Sequence, residues 1–222
     1  KDDKQMSKMY CNQCEQVAKG GACATRGVCG KEPEVSTLQD LLVHSLQGLS
    51  VHALNAREVG VIDPEADRFA SEALFTTLTN VNFDADRFAD YLQRSAQVTA
   101  RLKQKIQQAG GTVDTDNPAA TYQPAASLDE LIKQGEDLGV PWGQDLPEDI
   151  QSLQQILLYG LKGVAAYAAH AAVLNEEDNA VYEFIYEALA ALTEDSTDAD
   201  KWLGLVLKCG EINLKAMELL DK

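Results

Sequence analysis

Four cysteines crowd one end of this chain, in the stretch YCNQCEQVAKGGACATRGVCGKE at residues 10–32. Cys11, Cys14, Cys23 and Cys29 follow the pattern C-x2-C-x8-C-x5-C, and the fifth cysteine, Cys209, stands far away. Thiols at this density form a disulfide framework, close a zinc site or hold an iron–sulfur cluster. A disulfide framework is the weakest reading, because the remaining chain is long enough to bury a core without staples. Zinc uses four thiolates too, yet structural zinc modules usually pair two short knuckles, and only the first half here is one. Iron–sulfur clusters accept uneven gaps, since each cysteine reaches its own iron corner, so the spacing favours them over zinc.

The local chemistry leans the same way. Gly20, Gly21, Gly27 and Gly30 would let backbone amides turn toward sulfur. Between residues 11 and 31, Lys19, Arg26 and Lys31 face a single carboxylate, Glu15, in a chain whose net charge is −16. Thiolates around an iron–sulfur core leave net negative charge, which cations and N–H donors must stabilise. The overall acidity argues against nucleic-acid binding, for which a basic stripe is required. It suits solubility and a basic partner such as an electron-donor protein, or simply a solvated surface.

The elements that position these thiols read as helices. Leu38, Leu41, Leu42, Leu46, Leu49, Ala53 and Ala56 recur at helical spacing. Ser36 and Gln39 suggest a capping box that starts this helix, and Gly60 suits the left-handed residue that ends it. Asp63-Pro64 opens a second helix to about Thr79, and a third spans about Asp84 to Ala109. The connector at 111–146 is rich in Pro and Gly, with one amphipathic helix over Leu128–Leu138. The first pattern then recurs: LQQILLYGLKGVAAYAAHAAVLN from Leu153 overlies LQDLLVHSLQGLSVHALNAREVG from Leu38, 115 positions earlier. Asp63 then meets Asp178, Phe69 meets Phe184, and DADRF from Asp84 meets DADKW from Asp198 one deletion later. Such register implies a duplicated unit. Gly48 and Gly163 coincide in it, so a shared close helix–helix approach is expected at both.

The expected fold is therefore all-α: two duplicated three-helix bundles at 36–110 and 147–222, preceded by a cysteine-rich cluster loop at 10–35. Residues 1–9 read as a disordered N-terminus or residues left by expression. No uninterrupted apolar run nears the roughly 20 residues of a membrane span, and no signal-peptide pattern is visible, which makes a cytoplasmic address and no membrane partner the expectation. Cys209, among apolar helix positions, reads as a core residue. His44, His52 and His170 read as capped-core or surface histidines, and NEEDN at 175–179 as helix-end charge.

With YCNQCEQ, GAC, RGVCGKEPEV, FTTLTNVNFD, LLYGLKGVAAYAAHA and INLKAMELLD in hand, the chain resembles hybrid-cluster proteins, also called prismane proteins or hydroxylamine reductases. The likeness runs from Met9 to the end. It implies that Cys11, Cys14, Cys23 and Cys29 are the ligands of one 4Fe-4S cluster, with 2Fe-2S as second choice. It further implies an electron-relay role toward a hybrid iron–sulfur–oxygen cluster that reduces hydroxylamine to ammonia and water, or nitric oxide. That second cluster belongs to α/β domains that this chain does not contain, so no catalytic residue is carried over. The implied partners are an electron-donor redox protein and those C-terminal domains, with homodimerisation a further option. The rival reading is a zinc-stabilised helical interaction module without redox activity.

Overall fold

The computed structural model describes residues 9–17, 21–139 and 146–221. Among these residues it contains eight helices and no strand, an all-α fold. Helices α1 (Pro33–Glu58), α2 (Pro64–Thr76) and α3 (Ala85–Gln108) form the first unit. The short α4 (Pro118–Thr121) and α5 (Leu128–Leu138) lie along the connector. Helices α6 (Glu148–Val173), α7 (Asn179–Ala191) and α8 (Ala199–Leu220) form the second unit.

Matching caps set matching helices. The Asp63 and Asp178 carboxylates accept from the amides of Ala66 and Ala180, and Asp84 and Asp198 cap α3 and α8 in the same way. Both first helices end alike. Gly60 and Asn175 take left-handed φ values of 77° and 63°, and the next amides, of Val61 and Glu176, return to the carbonyls of Ala56 and Ala171. Within each unit the first and third helices pack together, α1 on α3 and α6 on α8. Between units the contacts are reciprocal: α1 lies on α7 and α6 lies on α2, so one continuous apolar core runs through both. This is the arrangement a duplication with an internal pseudo-two-fold produces. By length and composition alone α6 could cross a membrane; here it packs against α2, α7 and α8.

Three expectations change. The first helix begins at Pro33 with Glu32 as its N-cap, not at Ser36, because proline's fixed φ suits the first turn. Ser36 is buried inside the helix with its hydroxyl on the Tyr10 carbonyl, so the capping box does not form. Met9 belongs to the ordered loop rather than to the lead: it is buried, and its amide donates to the Ala24 carbonyl. Residues 1–8 of that lead lie outside the described residues. The two repeat glycines also serve different ends. A Cβ on Gly48 would stand 1.9 Å from the Ala119 carbonyl oxygen, so Gly48 admits the connector backbone at α4, whereas Gly163 has nothing within 4 Å.

Candidate iron–sulfur site

The cysteine loop folds through backbone pairing of its own ligand candidates. Cys11 and Cys23 form an isolated antiparallel bridge, exchanging N–H···O bonds of 3.2 and 2.8 Å. The loop then turns at Gly30, where φ is 92°, before entering α1. All four loop cysteines are free thiols; Cys23 is buried, and Cys11, Cys14 and Cys29 are partly exposed. The amides of Gly27 and Gly30 donate to the carbonyls of Lys31 and Gly27, so these two glycines fold the loop instead of offering their N–H groups to sulfur. Gly27 has a second duty, since a Cβ there would come within 3.1 Å of the Cys29 sulfur. Lys19 and Gly20 lie outside the described residues.

Of the loop cations among the described residues, one reaches the thiols. Lys31 is 1% exposed, and its Nζ donates to the Cys11 sulfur at 3.6 Å and to Gln39 Oε1 on α1 at 2.6 Å. Arg26 instead makes an exposed ion pair with Glu32. Beneath the knuckle lie groups that sequence reasoning did not single out. Asn12 donates to Gln155 at 2.8 Å and accepts from the Tyr159 hydroxyl, both on α6. Lys162, one turn further along α6, is 1% exposed and donates to the Thr77 carbonyl at 3.1 Å. With the Gln13 amide oriented to satisfy its neighbours, its oxygen accepts from the same Nζ at 3.2 Å. Asp40 of α1 completes the bed: burial pushes its carboxyl up to about 7, against the pull of Lys162 and Lys31. Burial likewise pushes Lys162 down to about 8, against the attraction of Asp40. A signal was available in the sequence, since Lys162 is the lone Lys, Arg, Asp or Glu in the apolar run from Ile150 to Leu174.

Other candidates resolve as core or cap. Cys209 is buried against Gly160, and burial raises its thiol to about 11, far from a ligand's thiolate character. His52 is buried with Nε2 2.9 Å from the Ala120 carbonyl oxygen, while His44 and His170 stack edgewise on Tyr122 and Phe75. In NEEDN, Glu177 pairs with Arg68 of α2 and Asp178 caps α7.

By donor type this loop fits an iron–sulfur group: four free thiols and a buried ammonium directed at one of them. Among the described residues no three His, Cys, Asp or Glu side chains converge as a ligand set. Drawing thiolates to one point is work that metal binding itself does.

The sequence signature of the Prismane/CO dehydrogenase family matches residues 9–222. The chain belongs to that family. Membership implies iron–sulfur cofactors, in keeping with the donor set above. Curated relatives named hydroxylamine reductase include those of Syntrophobacter fumaroxidans, 54% identical over 213 residues, and Methanocella arvoryzae, 51% identical over 216. That of Trichormus variabilis is 47% identical over 215 residues. In each case the alignment takes in 96% of this chain and 39% of the relative. The chain thus spans about two fifths of the length of the relatives it matches.

Proposed function

We propose that this chain is the electron-relay part of a hydroxylamine reductase, with Cys11, Cys14, Cys23 and Cys29 holding one 4Fe-4S cluster. The observation that carries the reading is the buried Lys31 ammonium on the Cys11 sulfur. Burying a lysine is costly unless its N–H donors find strong acceptors, and a thiolate-bound cluster is such an acceptor. Bound there, the cluster would supply reversible one-electron storage. The protein's part is to hold its thiolates, shield them and set the surrounding charge.

Two further features support a relay. Cys14 and Cys29 are partly exposed and Val28 between them is 61% exposed, which leaves a patch where a donor redox protein could approach. On the opposite unit α8 exposes Leu203, Leu207, Leu214 and Met217, spaced four, seven and three apart along one face. An uncovered stripe of this kind suits burial by the further domains that the relatives' greater length supplies. In this reading those domains carry the hybrid cluster and reduce hydroxylamine or nitric oxide, and the whole enzyme works in the cytoplasm. No residue of this chain is assigned to catalysis.

The test is iron and acid-labile sulfide in chain purified without oxygen. About four of each per chain, with a brown colour that bleaches on reduction, is the expected result. A colourless protein with one zinc per chain would overturn the proposal in favour of the zinc-stabilised module. Cys14→Ser should abolish the colour and leave most helical circular dichroism, because the helices share a core of their own.

A further inference from the structure

We infer that Lys162 is a charge-compensating residue for the group held by the cysteine loop, acting with Lys31 to raise its reduction potential. The inference rests on the relay reading above and deepens it. Lys162 comes from the second unit, and its ammonium is buried where three elements meet: the knuckle through Gln13, the end of α2 through Thr77, and α6 itself. Lys31 enters from the loop and touches Cys11 directly. Asp40, from α1, feels both ammonium groups.

Two buried cations beside a single, only partly buried carboxyl leave an excess of positive charge under the loop. Left alone, that excess is expensive, because like charges in a medium of low polarisability repel strongly. Lys31 stands on the Cys11 sulfur, and Lys162 stands on Gln13, which lies between Cys11 and Cys14 in the knuckle. An anionic iron–sulfur group over the knuckle removes the imbalance. The same field stabilises each added electron, so the reduced state gains most. A purely structural lysine would need only the Thr77 carbonyl. It would not need a second buried lysine beside it.

The loaded chain separates these roles through its midpoint potential, read by redox titration of the visible absorption. Lys162→Met should favour the oxidised state by about tenfold, a downward shift of about 59 mV for a one-electron couple. Lys162→Arg, which keeps the charge, should stay near the wild-type value. Asp40→Asn, which removes the opposing charge, should shift the potential upward. Equal potentials in wild type and Lys162→Met would overturn the inference while leaving the cluster assignment intact. If Lys162→Met does not take up iron, Asp40→Asn decides, and an unchanged potential there overturns it. A wild-type chain without iron removes the relay reading itself, and this inference with it.

Discussion

The two three-helix units share their caps and helix ends, yet the first helix of each meets the cysteine loop with different chemistry. Asp40 and Gln155 occupy equivalent places, 115 positions apart. The first joins the buried charges beneath the loop and the second accepts from Asn12. Lys162 corresponds to Gln47, which is partly exposed on α1. A duplicated scaffold has thus been kept for packing and changed at the face where the cofactor candidate sits. The crossings of first on third helix tell the same story. In the first unit Ser45 and Ser95 share a buried hydrogen bond of 2.8 Å. Their counterparts, Gly160 and Cys209, meet as a sulfur pressed on a glycine. Phe88 and Trp202, also counterparts, are both fully buried. Packing geometry is conserved between the units even where the interaction changes from polar to apolar.

The sharpest way to break the symmetry is at the repeat glycines. Gly48→Ala forces a methyl group into the Ala119 carbonyl, and backbone cannot yield as a flexible side chain does. A loss of about 3 kcal/mol or more is expected in urea unfolding. Gly163→Ala meets open space on a helix, so it should stabilise by up to about 1 kcal/mol. Opposite signs at one repeat position would show that this position grips the connector in the first unit and not in the second. Similar signs would mean that the connector does not depend on Gly48.

What the sequence disclosed follows from how local each feature is. Caps, periodicity and the duplication are written in neighbouring residues, and Asp63, Asp84, Asp178 and Asp198 all sit where their side chains dictate. The start of α1 was misplaced because Ser36 and Gln39 carry a cap signature, yet in the fold they turn toward Tyr10 and Lys31. The thiols were legible as a set. Their charged bed was not, because Lys162 lies some 150 residues from Cys11 and comes under the loop through the packing of α6 on α2. Gly48 and Gly163 looked equivalent for the same reason: sequence shows the glycine and not what approaches it.

The acid caps offer a second, smaller comparison. Asp63 is 4% exposed and bonds Arg101 Nε and Lys105 Nζ, both at 2.9 Å. Its counterpart Asp178 bonds Lys215, the counterpart of Arg101, at 2.8 Å, with a side chain 31% exposed. Asp63→Ala should therefore cost about 2 kcal/mol, a cap plus part of an ion-pair network, and Asp178→Ala about 1. Burial by itself would raise the Asp63 carboxyl, but Lys105, the Ala66 amide and Arg101 together hold it below the usual range. A depressed carboxylate adds stability that is complete above its unfolded value near 3.8 and is lost as pH falls through its folded value. The gap between wild type and Asp63→Ala should thus hold from pH 7 to about 5 and close in more acidic solution. A gap that persisted at pH 2 would show that cavity formation, not charge, is what Asp63 prevents.

The smallest effect is expected at Cys209, and it tests the packing equivalence directly. Its thiol is buried, protonated at neutral pH and pressed on Gly160. Cys209→Ala removes only the sulfur and leaves a small gap at the α6–α8 crossing, so about 1 kcal/mol of stability should go. Cys209→Ser restores the residue type found at Ser95, but Gly160 offers no hydroxyl in return. Without a partner its buried hydroxyl should make it less stable than the alanine variant. Pairing it with Gly160→Ser recreates the Ser45–Ser95 arrangement and should recover part of the loss. The recovery, read as a coupling energy in a double-mutant cycle, measures how far the two crossings are interchangeable. Iron content should be unchanged in all three variants, since the sulfur packs a helix crossing.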